Sequence, residues 1–311
     1  MKTLRPRHCS FHPLLLLLPL LLLLSFPATA SAKVRVAATL GDLAAAARAV
    51  GGGQVTVDTL ARAQEDPHYV DAKPSYVRLL SRADLLVFNG MSLEVGWLPA
   101  LLENARNGQI QEGAEGHFDA STVIDRMGVP DTEVTRKMGD VHPEGNPHYT
   151  LDPRQMARVA LGLGKRLGQI DPAHKKDYMT RARDFARECL KLNKKWQEKF
   201  SELPDAKRRV TVYHEAWEYL LDWLDLEKVI TVEPKPGVNP NPKHVAKVVG
   251  AMKQNDVGAL LKMEYYPSST AEKIAQKTGA ELVTSKGQTR AGEDYIERVD
   301  TLATSIYDAL K

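Results

Sequence analysis

The residues from Pro172 to Leu203 contain no glycine, begin on a proline and stop one residue short of Pro204. Proline fits the first turn of a helix and breaks one from within, so this stretch predicts a single long helix with both ends marked. Tyr178, Ala182, Phe185, Cys189, Leu192, Trp196 and Leu203 follow one another at helical spacings and draw one apolar stripe along it. At 1.5 Å per residue the helix would extend about 45 Å, enough to cross the back of a molecule this size. A rod of that length divides the chain into two parts. Cys189 lies on the stripe and reads as a small buried hydrophobe rather than a reactive thiol.

On either side of the rod, β-rich and helical segments alternate. Before it, Val34 to Thr39, Gln54 to Leu60 and Leu85 to Asn89 read as strands, and Asp42 to Val50, Pro74 to Arg82 and Pro153 to Leu167 as helices. After it, strands are expected near Arg209 to Tyr213, Val229 to Val232, Val257 to Lys262 and Glu281 to Thr284. Helices are expected near Glu215 to Leu224, Pro242 to Asn255 and Ser269 to Lys277. Such alternation predicts an α/β fold: two similar lobes with mainly parallel sheets, residues 33–168 and 206–311, joined by one long rigid helix at 169–205.

Residues 1–32 read differently. Lys2, Arg5 and Arg7 precede the apolar run Leu14 to Leu24, and small residues follow at Ala28, Ala30 and Ala32. This is the pattern of a cleavable secretory signal peptide, with cleavage expected after Ala30 or Ala32. The run is too short for the ~20 apolar residues of a membrane span. A lipoprotein would carry its acylated cysteine after the run, whereas Cys9 precedes it, so a periplasmic protein that is not a lipoprotein is expected.

The net charge of +3 is accounted for by Lys2, Arg5 and Arg7, which leaves the body neutral. Phosphate backbones demand a clustered basic surplus, so a nucleic-acid partner is not expected. With only Cys9 and Cys189, no disulfide framework is expected either.

Chemistry is concentrated in the histidines. His8 and His12 belong to the leader. His174 sits in the polar first turn of the rod, His244 opens a helix after Pro242, and His117 and His142 fall in the long connection from Gly108 to Asn146, which reads as a solvated loop. His68 and His148 each follow a proline, Pro67 and Pro147, and His214 closes the strand that starts at Arg209. Ligands of open α/β sheets bind beyond the carboxyl ends of strands, which is where His68 and His214 belong. Three neutral imidazoles from two lobes suit a borderline divalent ion such as zinc. Ligands so far apart in sequence can meet only if the lobes face each other.

With these residues in view, the sequence resembles the metal-binding solute-binding proteins of bacterial ABC importers that capture zinc or manganese. The resemblance is carried by Glu65-Asp66-Pro67-His68, by Ser81 to Gly90, by Asn146-Pro147-His148 with Leu151-Asp152-Pro153, and by Tyr213-His214-Glu215-Ala216-Trp217. It implies two α/β lobes with one metal between them, and metal-ligand roles for His68, His148 and His214. Manganese-preferring members replace the third histidine with a carboxylate and add an aspartate, whereas this chain has His214 and no acid in Val283-Thr284-Ser285. The fourth position is therefore open to water or to Glu264, which is expected either as a ligand or as support for one. Zinc-specific relatives carry a histidine-rich loop that here retains only His117 and His142.

The expected function is capture of Zn(II) and delivery to the ABC-importer permease of the cytoplasmic membrane by a monomer that is not an enzyme. Manganese or iron capture is the alternative within the class. A secreted zinc hydrolase gains little support, because His214-Glu215 is followed by Glu218 where a His-Glu-x-x-His helix needs its second histidine. An adhesin that uses metal structurally is a further alternative.

Overall fold

The computed structural model describes residues 32–311 together with Lys2 and Thr3. The apolar run and cleavage region of the expected signal peptide lie outside the described residues. Two four-stranded sheets organise the body. The first contains β1 (Val34–Ala38), β2 (Val55–Thr59), β3 (Leu85–Phe88) and β4 (His117–Asp119), in the order β2-β1-β3-β4. In the second, β5 (Arg209–Val212), β6 (Glu227–Thr231), β7 (Ala259–Met263) and β8 (Glu281–Ser285) follow the equivalent order β6-β5-β7-β8. Every pairing is parallel. Parallel sheets are covered on both faces, and the central strands are accordingly continuous apolar runs: Val36, Ala37 and Ala38 in β1, Ala259 to Leu261 in β7, all buried.

The helices of the first half are α1 (Gly41–Gly51), α2 (Pro74–Leu80), α3 (Leu98–Ala105) and α4 (Pro153–Ile170). Proline opens α2 and α4, and the Asp152 side chain caps α4 by accepting from the Arg154 amide at 2.7 Å. The connector α5 (Lys175–Ser201) starts later than Pro172 because Pro172–His174 forms a separate 3₁₀ turn. The whole expected stripe is buried, and Phe200, one turn beyond Trp196, adds to it. That face packs on α1 and α4 in the first half, and on α6 (Glu218–Leu224) and α9 (Tyr295–Leu310) in the second. Between them lie α7 (Pro242–Gln254) and α8 (Ser268–Thr278), which cover the second sheet. None of the described helices is long and apolar enough to cross a membrane.

The two halves are not independent bodies. One apolar core runs continuously from Val34 through α5 to Leu310, while a smaller one fills the outer side of the second sheet around Val248, Leu260 and Ile274. A buried ion pair crosses between halves: Arg298 Nη2 on α9 donates to Asp42 Oδ2 on α1 at 2.8 Å. Asp42 Oδ1 accepts from the amide and hydroxyl of Thr289 at 2.9 and 2.6 Å. Removing one partner of such a pair strands the other charge, which typically costs about 3–5 kcal/mol.

The pattern of short elements differs from expectation in four places, one of them helix α3, which was not among the expected elements. The Gly108 to Asn146 connection contains β4 rather than only loop, because Phe118 is buried against α4. The helix expected from Glu215 begins at Glu218, since residues 213–217 turn away from the sheet to present His214. The C-terminal helix α9, with Val299, Leu302, Ala303, Ile306 and Leu310 on one face, was not among the expected elements.

Candidate metal centre

At the carboxyl end of β2 the chain turns through Asp66-Pro67-His68. Asp66 Oδ1 accepts from the His68 amide at 3.0 Å and contacts its ring Nδ1 at 2.7 Å, while the Pro67 carbonyl accepts from the buried Trp97 indole at 2.9 Å. The loop is thus held by a side chain on each side of the proline. Burial raises the Asp66 carboxyl, but its hydrogen bond and charge attraction to His68 outweigh this and leave it below the ordinary carboxylate range.

His148 is set by a similar short-range device. Asn146 Oδ1 accepts from the His148 amide at 3.0 Å, and Asn146 Nδ2 donates across to the Glu215 carbonyl at 2.7 Å and to Glu218 Oε2 at 3.1 Å. One asparagine therefore fixes His148 and ties its loop to the segment that follows His214. Asn89 Nδ2 donates to the Pro147 carbonyl at 2.9 Å from below. Burial, then the neighbouring histidines, hold the His148 imidazole well below its usual 6.5, so it is neutral at physiological pH.

His214 is the most enclosed of the three. Its Nδ1 lies 2.6 Å from Glu233 Oε2 at the end of β6, and both side chains are only 4% exposed. Tyr266 stacks on its ring at 5.3 Å between centroids. A proton on Nδ1, shared with the carboxylate, leaves the Nε2 lone pair of His68 and of His214 available to a cation.

The three rings face one another with centroids 5.2, 5.6 and 5.7 Å apart. Each offers one nitrogen, and these nitrogens all lie within 4.8 Å of one another. His148 and His214 border a cavity of about 170 Å³ whose walls also include His142, Asp140, Glu215 and Glu218.

Glu264 does not join the group. Arg290 Nη2 in the loop after β8 donates to its Oε2 at 2.8 Å, and its amide is paired with the Ser285 carbonyl. The carboxylate expected as a fourth ligand or as support is engaged by a guanidinium instead, and the carboxylates behind the histidines are Asp66 and Glu233. Glu233 stands at a strand end next to the strand that delivers His214, the one feature in the sequence that could have pointed to it. His142, expected as part of a solvated loop, has its Nε2 3.2 Å from His68 Nε2. Burial first, then the His68 charge, lowers its pKa to about 4. The remaining histidines lie elsewhere: His117 contacts the Ile110 carbonyl, His174 pairs with Asp171, and His244 contacts the Thr231 carbonyl.

A two-lobed α/β protein with a rigid helical connector and a cluster of imidazoles between its halves defines a class, the metal-binding substrate-binding components of ABC importers. Residues 36–309 match the model of the family described as zinc-uptake complex component A, periplasmic (ZnuA), and the chain belongs to that family. It is 27% identical over 280 residues to the metal ABC transporter substrate-binding lipoprotein SloC of Streptococcus mutans, covering 86% of this chain and 87% of SloC. The manganese ABC transporter substrate-binding lipoprotein PsaA of Streptococcus anginosus is 24% identical, covering 81% and 79%. The crystal structure of ZnuA superposes with a TM-score of 0.76 over 90% of this chain and all of that one, at 22% identity, a likeness of fold.

Family membership makes the protein a substrate-binding component rather than an enzyme, with a metal ligand and a membrane permease as partners. It also corrects one expectation. SloC and PsaA are both named as lipoproteins, which overturns the reading of a periplasmic protein without a lipid. That reading rested on the position of Cys9 relative to the apolar run, a segment outside the described residues.

Proposed function

We propose that the chain captures Zn(II) as cargo between its two halves, with His68, His148 and His214 as metal ligands, and presents it to the permease as a monomer. The observation that carries this reading is the group of three imidazole nitrogens within 4.8 Å, which contains no carboxylate oxygen. Nitrogen donors suit zinc, whereas manganese is the harder ion and favours oxygen. All three donors come from one chain, so the site needs no second copy. Zinc titration of the metal-free protein followed by calorimetry should give one ion per chain. The variants His68→Ala, His148→Ala and His214→Ala should each lose tight binding, and retention of wild-type affinity by any of them would remove that residue from the ligand set.

Manganese is the second reading, favoured by the oxygen donors Asp140, Glu215 and Glu218 in the cavity wall and by the naming of PsaA as a manganese protein. Competition at equal free concentrations separates the two metals.

Exchange of the ion rests on loop movement. The continuous core and the Asp42–Arg298 pair oppose a wide rotation of the halves, so the loop holding His68 is the moving part. Small-angle scattering of metal-free and metal-loaded protein should give nearly superposable curves, and a large change in radius of gyration would contradict this.

A further inference from the structure

The segment 137–142 contacts both halves, Asp140, Val141 and His142 line the cavity beside His148 and His214, and its attachments are specific. The Asp140 amide donates to the Pro236 carbonyl at 3.0 Å, Asp140 Oδ2 accepts from the Tyr69 hydroxyl at 2.6 Å, and Lys235 Nζ donates to the Lys137 carbonyl at 2.9 Å. Gly237, at φ +76°, makes the seat possible, because a Cβ there would lie 2.1 Å from Asp140 Oδ2. The strap is therefore pinned at once to the loop of His68 and to the turn that follows Glu233. Glu233 Oε2 holds both His214 Nδ1 at 2.6 Å and the Gly237 amide at 2.9 Å, so the seat of the strap and the orientation of His214 share one carboxylate.

At the end of this strap stands His142, with its Nε2 3.2 Å from that of His68. Asp66 contacts His68 Nδ1, and a proton on that nitrogen leaves the His68 Nε2 lone pair facing His142 Nε2. Two nitrogens bound to one tetrahedral zinc at 2.0–2.1 Å stand about 3.3 Å apart, so the observed separation is already that of two ligands sharing a cation. The His142 nitrogen is not within the 4.8 Å group, but His142 lines the same cavity as His148 and His214.

We propose that His142 is the fourth donor to the captured ion, drawn inward by the strap as the ion enters. The cation takes up the place between the two Nε2 atoms, and the neutral His142 ring carries its single N–H on Nδ1. An all-nitrogen tetrahedron results, and the strap roofs the cavity. Its fourth nitrogen sharpens selection of zinc over an oxygen-seeking ion. The inference rests on the zinc-site reading given above.

X-ray absorption of the zinc-loaded protein, with zinc and manganese titrations of wild type, His142→Ala, His142→Gln and His68→Ala, tests it. The expected result is four imidazoles around zinc in wild type and three plus an oxygen in both His142 variants. Zinc affinity should fall about 100-fold in those variants while manganese affinity changes by less than about threefold. Three imidazoles in the wild type, or zinc affinity within about twofold of wild type in either folded His142 variant, overturns it. Melting curves establish which variants are folded, and the glutamine variant serves if the alanine one is not. His68→Ala separates the two levels: loss there with no loss in the His142 variants removes only the fourth donor, whereas unchanged binding in His68→Ala removes the site itself.

Discussion

The two sheets share one strand order but hold their histidines in different ways. Above the first sheet, His68 leans on Asp66, whose side chain is 23% exposed, and the loop carrying it is pinned by single contacts to Trp97 and Asp140. Above the second, His214 and Glu233 are each 4% exposed, Tyr266 lies flat on the ring, and Glu233 is also tied to Gly237. Identical topology therefore leaves the rigidity of a site to its loops and to the burial of the carboxylate behind each imidazole. The second half thus backs its imidazole with a more buried carboxylate than the first, which makes it the candidate for the fixed jaw of the site.

Several substitutions would break or sharpen that contrast. The largest effect is expected at the fixed jaw: His214→Ala should weaken zinc binding by more than about 100-fold, and at least as much as His68→Ala, as read by competition with a chelator. Greater loss at His68 would reverse the assignment. Next, Asp42→Ala should destabilise the fold by about 3–5 kcal/mol in denaturant unfolding, because Arg298 is left buried without its partner, while zinc stoichiometry stays at one. Replacing the carboxylates compares the jaws directly. Glu233→Gln should cost about 100-fold in zinc affinity and Asp66→Asn about 10-fold, since the more buried carboxylate orients its ring with less competition from water. Equal losses would show that burial of the carboxylate does not matter.

The smallest expected effect is on pH dependence. His142 in the folded protein has a pKa of about 4, below its ordinary 6.5, so between those values the native state binds fewer protons than the unfolded one. Its contribution to stability is complete above pH 6.5 and drains away as pH falls through about 4. Buried Glu94, pushed up to about 7 by burial, acts in the opposite sense over part of that range. The informative comparison is therefore wild type against His142→Gln without metal: the variant's melting temperature should fall less between pH 6.5 and 4. A steeper fall in the variant would contradict the shift.

Much of the fold was legible because it follows from periodicity. The stripe from Tyr178 to Leu203, proline at the helix starts and short apolar strands are local signals, and local signals survive in sequence. The convergence of His68, His148 and His214 could be anticipated from strand ends and family resemblance. What could not be read was the partner of each charge. Glu264 ends a strand just as Glu233 does, but Arg290 engages one and His214 the other, and only the folded loops decide which. His142 lies in a polar connection whose course is set by Pro236 and Tyr69, both distant in sequence. Helix α9 was a different kind of omission, since its spacing from Val299 to Leu310 is an ordinary amphipathic pattern.

Selection of zinc by imidazoles from both halves is the central claim. Metal-free protein incubated with zinc and manganese at equal free concentrations, then freed of unbound metal and analysed for content, tests this most directly. The expected result is one zinc per chain and essentially no manganese; manganese at equal or greater occupancy, or no retained metal, would contradict it.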